Sequence, residues 1–191
     1  MDDVQRLSDV YSEGLTFEEF VVRAGRKGGI FRRNYQGTSV PEDLAASMAR
    51  VVDHHGGLKF LIMAEDWCPD AAENVPVLAR MSEISSGIQM RCFVRREHPD
   101  LDDQFQVRGA SRIPALLVCT AGYDVLGVWQ ERPEPAHRVI ASIKDLKDRG
   151  QPTGHLAAEL RQGYQGGAFR RATMQEVLQL VEEGTPRDVG E

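Results

Sequence analysis

Leu58-Lys59-Phe60-Leu61-Ile62-Met63-Ala64 is an almost unbroken apolar run, and three residues after it the chain reads Trp67-Cys68-Pro69-Asp70. A run this short and continuous is the pattern of a β-strand buried on both faces. The next segment, Ala71 to Met81, has helical spacing through Val75, Leu78 and Met81. Proline is best tolerated at the first helical position, so Pro69 there makes Cys68 the N-cap. The sulfur then faces unsatisfied backbone amides at the positive end of a helix dipole, and both favour thiolate. Glu65, Asp66, Asp70 and Glu73 oppose this by favouring the neutral thiol. From the sequence the balance stays open.

The chain beyond this point continues the α/β pattern. Ile88, Met90, Cys92 and Val94 alternate on one face of a strand, and Leu101 to Phe105 reads as a short helix or turn. Ala115 to Cys119 is a second apolar strand, and the turn Ala121-Gly122-Tyr123-Asp124 leads into a third strand through Val125 and Trp129. Glu134 to Asp148 follows as a helix carrying Val139, Ile140, Ile143 and Leu146. The order β-α-β-(short α)-β-β-α predicts a right-handed parallel β-α-β unit joined to an antiparallel hairpin. The result is a mixed sheet with helices on both faces.

Both flanks read as helical. Thr16 caps a helix with Glu19 three residues later and Phe17, Phe20 and Val21 on one side. Gly25 to Arg33, with its glycines and basic residues, reads as a solvated loop. A helix begins near Pro41, carries Leu44, Met48, Val51 and Val52, and ends at Gly56-Gly57. In the tail a short helix spans about His155 to Arg161. Gly163 to Gly167 is then a glycine-rich loop in which Tyr164 anchors the tail. Thr173, with Glu176 three residues later, caps a last helix with Val177, Leu178 and Val181 inward.

Composition removes several function classes. The 191 residues hold 23 basic and 29 acidic side chains, a net charge of −6, so the basic excess of a nucleic-acid or anionic-membrane binder is missing. No apolar run approaches the roughly 20 residues of a membrane-spanning helix. The acidic start Met1-Asp2-Asp3 differs from a secretory signal, so a reducing cytoplasm is the expected compartment. Three cysteines, Cys68, Cys92 and Cys119, leave at least one thiol unpaired within the chain. There is no CxxC, HExxH or GxxxxGK[ST] pattern, and the five histidines include no pair at i, i+4, so neither a metal nor a cofactor is expected.

Taken together, these residues resemble the thioredoxin superfamily. Trp67-Cys68 stands at the end of a strand, Pro76 lies eight residues after Cys68, and Pro114 lies 46 residues after it, directly before the run Ala115-Leu116-Leu117-Val118. The likeness covers roughly 58–148 and is greatest to the subgroup with a Trp-Cys-Gly/Pro-Asp-Ala signature. It implies a thioredoxin-like α/β fold with helical extensions at both ends. The expected division is an N-terminal extension over 1–57, a core over 58–149 and a C-terminal extension over 150–191, together one compact domain. It further implies that Cys68 attacks, that Pro114 faces it in the cis form, and that the backbone of Ile113 pairs with an extended substrate segment. Trp67, Pro69, Asp70, Ala71 and Arg112 then shape and support the groove.

Two positions depart from the family pattern. Ala71 stands where a dithiol enzyme has its second cysteine, and Ile62 stands where thioredoxins usually carry a buried acid. A dithiol enzyme resolves its mixed disulfide with the second sulfur, and Ala71 cannot. Cys119, five residues beyond Pro114, sits roughly 16 Å further along its strand, beyond disulfide reach. Cys92 lies on the apolar face of a strand and reads as a small hydrophobe. The function expected is monothiol exchange through Cys68 with a protein or low-molecular-weight disulfide, resolved by an external thiol. The alternative is a redox-inactive peptide- or protein-binding module. Arg108 and Arg112 read either as surface charge or as holders of a substrate carboxylate.

Overall fold

The computed structural model describes residues 3–184; Met1 and Asp2 of the acidic start lie outside them. In chain order the elements are α1 (Asp3–Tyr11), α2 (Phe17–Arg23), α3 (Gly28–Gln36), α4 (Glu42–His54), β1 (Leu58–Ala64), α5 (Pro69–Ser82) and β2 (Ile88–Val94). They continue with β3 (Ala115–Thr120), β4 (Val125–Gln130), α6 (Glu134–Asp148), α7 (Gly154–Gln165) and α8 (Ala168–Glu183). Short 3-10 turns occupy Gly25–Lys27 and Pro99–Phe105.

The strands form one sheet in the order β2-β1-β3-β4. β1 runs parallel to β2, with Ile62 opposite Cys92, and antiparallel to β3, with Ile62 opposite Leu116. β3 and β4 close the sheet as an antiparallel hairpin. The expected α/β architecture is therefore present: a mixed sheet, helices on both faces and helical extensions.

Strand alternation divides the core. Phe60, Ile62 and Ala64 of β1 face a large cluster built with α2, α3, α4, α5 and α8. Leu61 and Met63 face a smaller cluster built from Leu7, Val10 and Tyr11 of α1 and Leu101 and Phe105 of the second 3-10 turn. Residues of both extensions thus complete the two faces of the sheet. At Thr16 the expected cap is a full capping box: Glu19 N–H donates to Thr16 Oγ1 at 3.3 Å and Thr16 N–H donates to Glu19 Oε2 at 2.7 Å. Just before it, Leu15 exchanges two backbone hydrogen bonds with Cys92, of 2.8 and 2.7 Å, which covers part of the outer edge of β2.

Three sequence expectations are corrected. The segment from Gly25 to Arg33 is helical, not a loop: a 3-10 turn passes into α3, and Phe31 buries its ring edge-on against Phe20 at 5.4 Å. Gly28 acts there by lacking a side chain, since a Cβ would stand 2.3 Å from the carbonyl oxygen of Val21. Gly28→Ala is expected to lower stability by about 1–3 kcal/mol, read as a lower urea midpoint with unchanged slope. Likewise the stretch 163–165 belongs to α7, because the ring of Phe169 packs where a Cβ on Gly163 would lie. Thr173 is no cap. α8 starts five residues earlier, after Gly167, and Thr173 is wholly buried inside it, donating to the Phe169 carbonyl or to Asn74 Oδ1. The Thr-x-x-Glu spelling is shared by a helix interior and a helix start, and only packing separates them.

Candidate active site

β1 ends at Ala64 and the chain turns through Glu65 to Trp67 before α5 begins. Glu65 is 3% exposed, its carboxylate taking the backbone N–H of Arg96 at 2.9 Å and an ion pair with that residue's guanidinium. The turn is closed by Cys68 N–H to Glu65 O at 3.2 Å. Cys68 is the N-cap and Pro69 the first helical residue, as the sequence predicts. Trp67, by contrast, is 60% exposed.

Cys68 itself is 6% exposed. Its sulfhydryl donates to the carbonyl of Ile113 at 3.5 Å, and the Ile113–Pro114 bond is cis. Pro114 is buried, Ile113 half-buried and Ala71 fully buried. The balance left open by the sequence resolves upward: burial pushes the Cys68 thiol above its ordinary value. The backbone amide of Ala71 pulls it down, the Asp70 carboxylate pushes it up, and the Asp70 amide and Arg132 guanidinium pull it down again.

Arg132, just after β4, is a site residue that sequence reasoning missed. Its Nε donates to Asp70 Oδ1 at 2.9 Å and a terminal nitrogen pairs with Oδ2, a two-point clamp on the first turn of α5. Asn74, one turn further along α5 and wholly buried, donates to the carbonyls of Asp70 at 3.0 Å and Glu131 at 3.2 Å. Its amide also meets the Tyr164 hydroxyl at 3.3 Å, and its Oδ1 accepts from Thr173 at 2.9 Å. The C-terminal helices are thereby tied to the helix that carries the cysteine.

Arg112 is exposed and ion-paired with Glu131 at 2.8 Å. Arg108 lies in the tight turn between Val107 and Ala110 with a positive φ of 52°. Both border a cleft of about 790 Å³ along β4, shared with Gln130, Arg132, His137 and Glu176. Neither Cys68 nor Trp67 lines it. Cys92 and Cys119 are fully buried, and burial raises both thiols to about 12. Cys119 packs on the face of the sheet opposite Cys68. Among the described residues no three His, Cys, Asp or Glu side chains gather as metal ligands, and no helix is long and apolar enough to cross a membrane.

No curated protein matches the chain. Solved structures that share its fold over almost the whole length include two of low sequence identity. One is a protein of unknown function from Pseudomonas aeruginosa, 23% identical, with a TM-score of 0.68 over 92% of this chain and 96% of its own. The other is an HIV epitope-scaffold of the 4E10 type, 20% identical, with a TM-score of 0.69 over 93% of this chain and 98% of its own. Residues 14–147 match a sequence model of the thioredoxin family. With that match covering more than half of the residues, the chain belongs to the thioredoxin family.

Proposed function

We propose that the protein carries out thiol-disulfide exchange by a monothiol mechanism through Cys68. The observation that carries this reading is the meeting of Cys68 Sγ with the Ile113 carbonyl at 3.5 Å, at the start of α5 and against cis-Pro114. In the first step the Cys68 thiolate attacks a disulfide R–S–S–R′; the new bond is Cys68–S–S–R and R′S⁻ leaves. Ala71 offers no second sulfur, so a thiolate R″S⁻ from solution attacks the R sulfur of the mixed disulfide. Cys68 leaves as thiolate and R–S–S–R″ is formed. Electrons balance in each step, because one disulfide and one thiolate enter and one of each departs. The partner is a protein or low-molecular-weight disulfide, and the compartment that fits an unpaired reacting thiol is the cytoplasm.

The test is exposure of the reduced protein to oxidised glutathione across a pH series, with intact mass and peptide mapping. The expected adduct is a single one on Cys68. Its rate should keep rising with pH beyond the usual cysteine range of about 8.5, because burial holds the thiol protonated there. An adduct mapped to Cys92 or Cys119 would overturn the assignment.

The same burial of Cys68 favours a second reading, a thioredoxin-fold binding module without redox turnover. That reading predicts no adduct at any pH and peptide binding that survives Cys68→Ala.

A further inference from the structure

Four charged side chains of alternating sign run around one side of the cysteine. Arg112 meets Glu131 Oε2 at 2.8 Å, Glu131 Oε1 lies 3.6 Å from Arg132, and Arg132 clamps Asp70. The row starts at the residue before Ile113, whose carbonyl receives the thiol, and ends two residues after Cys68 on α5. It therefore joins the two walls between which the sulfur sits. Its inner half is largely removed from water: the side chains of Arg132 and Asp70 are 15% and 22% exposed. Asn74 fixes the backbone on either side of the clamp, holding the carbonyls of both Asp70 and Glu131.

We propose that Arg132 is a positioning residue for Cys68, clamping Asp70 and partly offsetting the acid of the first turn of α5 where its charge would oppose a thiolate. Asp70 is the acidic side chain of that turn, and it sits where the helix amides favour a negative sulfur. The charged groups acting directly on Cys68 are Asp70 from its own helix and Arg132 from the segment after β4. Glu131 acts through Arg132. Glu73 and Tyr164 stand beside the pair, and burial raises both, Tyr164 so strongly that it remains protonated. With Arg132 in place part of the push of Asp70 on the thiol is offset. Without it, an unpaired carboxylate remains two residues away. This role rests on Cys68 being the reacting thiol.

The experiment follows the alkylation rate of Cys68 by iodoacetamide against pH, mapped by mass, in four variants with far-UV circular dichroism as the fold check. Arg132→Met should move the midpoint up by about one pH unit and slow alkylation at neutral pH about tenfold. Arg132→Lys should restore part of the loss. Asp70→Asn should move the midpoint down by a similar amount, because Arg132 then acts unopposed. The double variant Asp70→Asn with Arg132→Met should return close to the parent. Unchanged midpoints, or single variants that shift in the same direction, would overturn the proposal. Should Arg132→Met fail to fold, Arg132→Gln takes its place, keeping hydrogen-bond donors for Asp70 without the charge: a raised midpoint supports the role, and an unchanged or lowered one overturns it. Alkylation reads the thiol without a disulfide partner. A midpoint that follows these charges in a protein that takes up no glutathione would leave the role of Arg132 standing and overturn the exchange reading.

Discussion

Ala71→Cys is expected to convert the protein into a self-contained disulfide reductant. In the parent, the sulfur of Cys68 already lies against the backbone amide of residue 71, which is fully buried beneath it. Residues three apart at a helix start fall within the Cα separation that a disulfide spans. The substituted chain can then complete the second half of the reaction: after Cys68 forms a mixed disulfide, the new thiolate attacks Cys68 Sγ, closes the intramolecular disulfide and expels the substrate thiolate. The measurement is turbidity from insulin reduction with dithiothreitol regenerating the dithiol. The parent should add little to the reductant's own rate, and Ala71→Cys should exceed the parent by at least about tenfold. Adding Cys68→Ser to Ala71→Cys should return the rate to background. A variant no faster than the parent, yet folded and holding a disulfide between Cys68 and the introduced thiol after oxidation, would show that the groove does not accept a disulfide substrate.

The largest loss of stability is expected at Asn74. Its side chain is fully buried and bonds to Asp70 O, Glu131 O, the Tyr164 hydroxyl and Thr173 Oγ1. Asn74→Ala removes all four contacts at once. Thr173 keeps the Phe169 carbonyl as an acceptor at 3.1 Å, whereas the Tyr164 hydroxyl and the two backbone carbonyls lose a buried donor. An unmatched buried polar group costs about 1–3 kcal/mol, and the cavity adds to that, so the expected total is about 2–4 kcal/mol. For a chain of this size that is a melting temperature lower by roughly 5–15 °C. Asn74→Asp keeps the acceptor but removes the two donors, and should not rescue. A variant as stable as the parent would mean that water replaces the amide and that the remaining contacts of α7 and α8, such as Trp129 with Glu176 and Arg170 with Gly37, suffice to hold them.

What was legible in the sequence was what neighbouring residues settle among themselves. The apolar run over 58–64, the proline one residue after Cys68, and Pro114 directly before the next apolar run are local features, and β1, β3 and the N-cap cysteine follow from them. Arg132 could not be found that way. It stands 64 residues from Cys68, and an arginine after a strand reads as surface charge until the fold brings Asp70 to it. The direction of the Cys68 shift was hidden for the same reason. The local cues were a helix dipole and four nearby acids, but the dominant influence is burial under the loop of cis-Pro114. The glycines at 28 and 163 misled in the opposite sense. Each looks like a chain break and is instead a place where a ring or a carbonyl comes too close for a side chain.

The place of α8 bears on how the chain is made. Met174, Val177, Leu178 and Val181 complete the large apolar cluster against α4, α5 and β4, so α5 must wait for more than eighty further residues before that flank is covered. Contacts this distant in sequence form late, because the closure of a long loop has to precede them. While the chain is still being translated, α5 leaves the ribosome with one apolar flank bare until residues 168–183 arrive, the kind of transient surface on which nascent chains associate.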